Sequence, residues 1–125
     1  MMTVDASPLF AGQFEFEGKE GLGSLYGLSL YKDTKNYYLI LHVGENTRTV
    51  SDYIVVPDPP EGYGYEIGLC TLDGLYKEKL AALIKLEWVE MRKNVIGAWM
   101  ADEKSEKFIS VNPSRVYCFN AAWNA

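Results

Sequence analysis

The sequence predicts an α+β fold that is mostly β: a strongly bent antiparallel sheet or partly open barrel of about eight short strands, with one helix packed on it. Three observations support this prediction. Seventeen of the 125 residues are aromatic, and many stand in the alternating or paired runs that are typical of strands. Segments rich in glycine and proline separate these runs. A helical period occurs once, after Asp73.

The N-terminal half predicts four strands. Residues 13–17 alternate apolar and acidic side chains, as in a strand with one buried face, and a glycine-rich stretch follows at 18–23. Residues 25–31 and 37–43 flank a short polar connector and predict a β-hairpin. The second of these strands is apolar on both faces, so we expect it to lie centrally in a sheet and to be covered on each side. A fourth strand at 49–56 ends where prolines begin to remove hydrogen-bond donors.

The middle of the chain predicts a fifth strand and the helix. The strand covers residues 63–70, with tyrosines on one face and small residues on the other. From Asp73 the apolar residues recur at helical spacing, so we expect a helix over 74–85 with Asp73 as its N-cap. Residues 86–91 fit either a continued helix or a strand, and their alternation of apolar and charged side chains favours a strand.

The last third of the chain predicts a meander of three further strands. They cover residues 95–101, 107–111 and 115–119, and turn-forming residues connect them. The chain has the length and the composition of an ordinary globular domain. We therefore expect a single domain over residues 1–125.

Charge and hydropathy limit the partners of the protein. Twelve basic against seventeen acidic residues give a net charge of -5, which opposes broad attraction to nucleic acid or anionic lipid. No apolar segment approaches the length of a membrane-spanning helix, and the first residues show neither a basic residue before Lys19 nor an apolar run of signal-peptide length. We expect a soluble cytoplasmic protein, or an exported one if a signal peptide has been removed.

Cys70 and Cys118 are the only cysteines, and the sequence leaves two states open. In a reducing compartment we expect two buried apolar side chains with free thiols. In an oxidising compartment they form one disulfide, which is conceivable because both lie at the ends of predicted strands. Such a bridge would close a loop of about fifty residues and contribute up to about 4 kcal/mol.

Few residues suit catalysis. His42 is the only histidine, it stands among apolar residues in a predicted strand, and no other ligand lies near it at metal-binding spacing. We therefore expect a core or sheet-face imidazole with a hydrogen-bond partner. A catalytic triad with His42 would have to use Ser29, Ser51, Asp52 or Cys70. We do not expect one, because the local signatures of serine and cysteine hydrolases are missing. The sequence predicts no catalytic residue, no cofactor and no metal.

Candidate binding residues cluster beside the proline turn. Asp58, Glu61 and Glu66 surround two tyrosines, Tyr63 and Tyr65. Aromatic rings beside carboxylates suit stacking and hydrogen bonding to a polar ligand or to a basic partner. The alternative is that both tyrosines pack into the core under a charged loop.

Three classes of function remain. The acidic charge, the many aromatic residues and the few catalytic groups favour a non-enzymatic binding or accessory protein, such as an inhibitor-like or immunity-like partner of another protein. The alternative is a small-ligand-binding barrel, or a small enzyme that uses carboxylates and tyrosines in a closed pocket. The third class is a subunit of a homo-oligomer, joined through an exposed Trp123 and an edge strand.

Overall fold

A computed structural model describes residues 10–15, 25–43 and 49–123. In these ranges the chain consists of β-strands and turns, with one short 3-10 helix at Pro113–Arg115 and no α-helix. None of its helical structure is long and apolar enough to span a membrane. The strands are β1 (Phe10–Glu15), β2 (Leu25–Lys32), β3 (Tyr37–Val43), β4 (Thr49–Val56), β5 (Tyr63–Ile67), β6 (Cys70–Leu72), β7 (Leu75–Tyr76), β8 (Leu80–Lys85), β9 (Met91–Arg92), β10 (Val95–Asp102), β11 (Lys107–Ser110) and β12 (Val116–Phe119).

The strands form three sheets of four strands each. The first has the order β1-β2-β3-β4, the second β11-β10-β8-β5 and the third β7-β6-β12-β9. Their described pairings are antiparallel. The predicted α+β class, with one helix on a single bent sheet or barrel, is therefore wrong. The described residues are nearly all β, and they form three separate sheets.

The chain divides into two compact units. The first comprises Met1–Asp58 and Ala101–Phe108, and the second comprises Pro59–Met100 and Ile109–Ala125. Each unit contains buried apolar residues of its own. The expectation of a single domain over residues 1–125 stays a prediction.

The first unit contains the hairpin that the sequence predicted. β2 and β3 pair along their length, and in the connector Asp33 Oδ1 accepts hydrogen bonds from the backbone N–H groups of Lys35 and Asn36, at 2.8 and 2.7 Å. β3 lies between β2 and β4, and its consecutive residues 39–41 are fully buried. Because neighbouring side chains of a strand point to opposite faces, both faces of β3 are covered, as predicted.

Most strand boundaries in the first unit agree with the sequence. β3 and β4 begin and end as predicted, and β2 extends to Lys32. β1 begins at Phe10, earlier than predicted, while residues 16–17 of that prediction and the glycine-rich stretch 18–23 lie outside the described residues. β4 ends at Val56, because the prolines that follow cannot donate to a sheet.

The core of the second unit lies between the second and third sheets. β8 occupies the centre of the second sheet, between β5 and β10, and all of its residues except the last are buried. Leu80, Ala82 and Ile84 of β8 pack in one cluster with Cys70 and Cys118 of the third sheet. This continuous apolar strand therefore holds the two sheets together.

Cys70 and Cys118 form a disulfide between β6 and β12. The two residues are directly opposite each other in the antiparallel register, and both are fully buried. The predicted burial is confirmed. Of the two states that the sequence left open, the structure contains the bridge and not the free thiols.

Residues 74–85, predicted as a helix, instead form β7, a turn and β8. Asp73 and Gly74 have φ angles of 52° and 82° and form the tight turn of the β6–β7 hairpin, so Asp73 is a turn residue and not an N-cap. An Asp-Gly pair suits this turn because both central positions need a positive φ. The apolar run 80–84 then fits a central strand that is covered on both faces, a pattern that periodicity cannot distinguish from a buried helix.

Three other predictions differ from the structure. Residues 86–91, expected as a strand, form a loop that meets β9 at its last residue. The strand predicted over 63–70 ends at Ile67, because Gly68 has a φ of 82° and turns the chain before β6. The last three strands are not a meander, since β12 pairs with β6 and β9 after the 3-10 helix.

Candidate functional site

The residues predicted to form a binding site differ in exposure. Asp58 and Glu61 are exposed and Tyr63 is half-buried, whereas only 3% of Tyr65 is exposed. The Tyr65 ring packs beside Trp99, with 6.1 Å between the ring centroids. Tyr65 therefore supports the sheet, as in the alternative that places the tyrosines in the core. Asp58 belongs to the first unit and the other predicted site residues to the second.

Glu66, the last of these residues, links two sheets of the second unit. Its side chain is only 16% exposed, and its Oε1 lies 3.7 Å from Nη1 of Arg92 on β9. Burial raises the pKa of Glu66, and the attraction of Arg92 opposes this rise. Because strand side chains alternate, Glu66 lies on the face of β5 opposite Tyr63 and Tyr65. The structure thus separates this carboxylate from the tyrosines, and a binding role for the predicted set stays a prediction.

Arg92 also holds the loop that follows β8. Its Nε donates a hydrogen bond of 2.9 Å to the backbone carbonyl of Glu87. Leu86 N–H donates to the carbonyl of Gly62 at 2.8 Å, so the start of the loop is bonded to the turn before β5. These contacts give the loop at residues 86–90 a defined position at the edge of the second unit.

His42 lies on β3 and has the hydrogen-bond partner that the sequence predicted. Its Nε2 is 3.1 Å from Oγ of Ser29 on β2. The ring covers Gly27, where an added Cβ would come within 2.1 Å of the imidazole. Burial lowers the pKa of His42, which favours the neutral ring. The prediction of a core or sheet-face imidazole with a partner is confirmed.

The Ser29–His42 pair lacks the other parts of a hydrolase site. Ser29 is buried, and within the described ranges no carboxylate is hydrogen-bonded to the imidazole. Asp52 Oδ2 instead accepts the backbone N–H of Phe108 at 2.8 Å, and Ser51 Oγ donates to the Glu106 carbonyl at 3.0 Å. Among these same described residues, no group of three histidine, cysteine or carboxylate side chains is arranged to hold a metal ion.

Among the residues whose exposure the structure describes, the second unit carries most of the large apolar side chains that are exposed. Of the eleven large apolar side chains that are exposed in the described residues, nine belong to this unit. Apart from Trp123, sequence reasoning did not single them out. They are Leu75, Tyr76, Leu86, Trp88, Val89, Ile96, Ile109, Phe119 and Trp123.

Two of these side chains, Trp88 and Trp123, form an exposed pair. They are 68% and 38% exposed, and their ring centroids are 5.5 Å apart with a 40° angle between the rings. Trp88 stands in the loop at residues 86–90, and Trp123 in the turn after β12. Asn120 N–H donates to the Glu90 carbonyl at 2.9 Å, which joins the turn to the loop. We define the tryptophan patch as the exposed residues Leu86, Trp88, Val89 and Trp123.

Charge is divided unequally between the two units. The first unit contains eleven acidic and six basic residues, so the net charge of -5 belongs to it, whereas the second contains six of each. The unit with the tryptophan patch is therefore neutral. Comparisons with protein-family models, curated proteins and solved structures found no match for this chain.

Proposed function

We propose that this chain is a non-enzymatic binding or accessory protein, which recognises another protein through the tryptophan patch. The observation that carries this proposal is the exposed Trp88–Trp123 pair on a neutral unit. Covering exposed aromatic surface is favourable because it removes apolar area from water. Tryptophan is also among the residues that contribute most to the affinity of protein interfaces.

An inhibitor-like or immunity-like role agrees with the distribution of charge. The acidic residues of the first unit would steer a basic partner and raise its association rate. The apolar contacts of the neutral unit would then determine how slowly the complex dissociates. In this proposal the acidic charge selects the partner, and the tryptophan patch holds it.

The disulfide supports an oxidising compartment as the place of this interaction. Structural disulfides persist outside the cytosol, where thiols are not kept reduced. Cys70 and Cys118 join β6 to β12, the strand that precedes the Trp123 turn. We therefore favour the exported alternative over the cytoplasmic one.

The test compares the proteins that wild type captures with those that a variant without the two tryptophans captures. Wild type and the double variant Trp88→Ala/Trp123→Ala are immobilised and exposed to native lysate or secreted fractions, and the captured proteins are identified by mass spectrometry. We expect a partner whose affinity, measured afterwards with purified proteins, falls about 30-fold or more in the double variant. Far-UV circular dichroism should stay unchanged, because both rings are exposed.

Tyr63→Ala is the matched control, since this half-buried ring belongs to the other predicted site. A partner that is lost from Tyr63→Ala but retained by the double tryptophan variant would move the binding site to residues 58–66. The proposal would be contradicted if every protein that wild type captures were also captured by the double variant. A second copy of this chain as the captured protein would replace it with the homo-oligomer class.

A further inference from the structure

We propose that β4, at the edge of the first sheet, binds an extended basic segment of a partner protein, which adds to that sheet as a further strand. The observation behind this proposal is an edge strand that has two exposed apolar side chains and no basic residue. The proposal goes beyond the tryptophan patch, because it concerns a different surface, in the acidic unit of the chain.

Part of β4 presents its backbone for pairing. β4 is last in the order of its sheet, and among the described strands it pairs with β3 alone. Every second residue of such a strand directs its N–H and C=O groups away from its neighbour, so an edge strand can accept another strand. At its start, Ser51 and Asp52 are bonded through their side chains to Glu106 and Phe108. Residues 53–56 have no described hydrogen bond of this kind, so they form the available edge.

Tyr53 and Val55 give this edge an apolar face. They are 45% and 57% exposed, whereas Val56, on the opposite face, is only 3% exposed and belongs to the core. Tyr38 of β3 extends the face, since it lies directly opposite Val55 in the register. Its ring meets the ring of Tyr53 edge-on, with 6.5 Å between the centroids. Cross-strand pairs of aromatic and β-branched side chains stabilise sheets, so an added strand would gain contacts here.

Charge indicates which kind of segment this edge accepts. Between Arg48 and Lys77 the chain contains five acidic residues and no basic one. Asp58, which is exposed, follows the four available residues by two positions. Lysine or arginine side chains of an added strand are attracted to such carboxylates and to the face of an exposed tyrosine ring. A segment that alternates basic and apolar residues therefore matches both the charge and the apolar face.

The same charge opposes a second copy of this chain as the occupant. Pairing of two β4 strands would bring together two units that each contain eleven acidic and six basic residues. Like charges on paired strands are destabilising. Pro57 also limits the pairing to a short segment, because proline has no N–H to donate. A short basic segment is subject to neither of these restrictions.

The test uses a designed peptide as the probe. A fluorescein-labelled hexapeptide that alternates lysine and valine is titrated with the protein at low salt, and binding is measured by fluorescence anisotropy. We expect it to bind about tenfold more tightly than a hexapeptide that alternates glutamate and valine. The lysine-valine peptide with N-methylated amides should not bind, because it keeps the side chains and the charge but lacks the N–H donors of a strand.

Val55→Lys tests the location of the site. A lysine at this exposed position removes an apolar contact and repels the peptide, so the affinity should fall about three- to tenfold. Ile109→Lys is the matched control: it makes the same change of charge at a 40% exposed apolar residue on β11, an edge strand of the second sheet. The affinity of this variant should equal that of wild type.

A measurement on wild type avoids any effect of a substitution on folding. When the lysine-valine peptide is added, the backbone amide resonances of residues 53–56 should shift in the nuclear magnetic resonance spectrum. Trp88→Ala/Trp123→Ala should bind the peptide as wild type does, so capture of a partner by the tryptophan patch is tested independently of this edge.

Several outcomes would overturn the proposal. Equal affinity for the glutamate-valine peptide would remove the preference for a basic segment, and undiminished binding of the N-methylated peptide would exclude strand addition. Resonances of residues 53–56 that do not respond to the peptide would place its binding elsewhere. If these resonances instead shift with the concentration of the protein alone, a second copy of the chain occupies the edge. In each of these cases the double tryptophan variant still decides the proposed function.

Discussion

Burial determines which of the acidic and aromatic residues beside the proline turn support the fold and which are accessible to a partner. Tyr65 is covered and packs beside Trp99, whereas Tyr63 keeps part of its ring accessible. Replacing both tyrosines together would therefore confuse loss of folding with loss of binding, and Tyr63→Ala alone examines the surface. Glu66 likewise belongs to an ion pair with Arg92 between two sheets. A tyrosine-glutamate pattern on one strand does not indicate which face of that strand is covered.

Glu66→Gln should change how stability depends on pH. Burial raises the folded-state pKa of Glu66 more than Arg92 lowers it, so the folded protein holds this proton more tightly than the unfolded chain does. The stabilising contribution is fully present below the ordinary value of 4.5 and is lost as the pH rises through the folded-state pKa. The free energy of unfolding of wild type, relative to the variant, should therefore fall from about pH 4.5 upward. Urea unfolding of both proteins between pH 4 and 7 measures this difference.

Glu61→Gln serves as the control for this measurement, because Glu61 is an exposed carboxylate in the turn that precedes β5. Its stability relative to wild type should vary less over the same pH range. If wild type instead gains stability relative to Glu66→Gln as the pH rises, the attraction to Arg92 outweighs the burial of the carboxylate.

At the level of secondary structure, the sequence predicted a strand correctly where a single local signal determined it. The β2–β3 hairpin follows from two apolar runs around a polar connector, and β4 ends where prolines cannot donate. In residues 74–85 two local signals competed. The helical spacing of apolar residues favoured a helix, but the Asp73-Gly74 pair was a hairpin signal, and the structure follows the hairpin.

Substitution of Gly74 distinguishes the hairpin from the predicted helix. Gly74→Ala should destabilise the protein by about 1–2 kcal/mol, because a residue with a Cβ is strained in the left-handed region that this turn requires, here at a φ of 82°. Gly74→Asn should cost less, since asparagine tolerates this region. Midpoints of urea unfolding measure both effects. A helix over 74–85 would predict the opposite order, with alanine stabilising.

At the scale of the whole molecule, the disulfide and the tryptophans lie in the same unit. All three tryptophans lie in the second unit, so their fluorescence follows the unfolding of that unit. Cys70 and Cys118, 48 positions apart, lie in its core. Cross-linking residues at this separation reduces the entropy of the unfolded chain by an amount equivalent to about 4 kcal/mol.

Reduction of Cys70–Cys118 should lower the stability of the second unit by about 4 kcal/mol. Because both sulfurs are buried, reduction is carried out in urea before refolding under dithiothreitol. Tryptophan fluorescence then gives the urea midpoint with and without the bridge. The variant Cys70→Ala/Cys118→Ala is the control, and its midpoint should not respond to dithiothreitol. An unchanged wild-type midpoint would contradict a stabilising role for the bridge.

The sequence by itself determined the β-rich character of the chain, the β2–β3 hairpin, the end of β4 and the role of His42 as a bonded sheet residue. These depend on neighbouring residues, through side-chain alternation and the missing N–H of proline. Only the tertiary structure decided that 74–85 is not a helix, that Cys70 meets Cys118, and that Trp88 pairs with Trp123. These depend on contacts between residues far apart in the chain, which local periodicity does not contain.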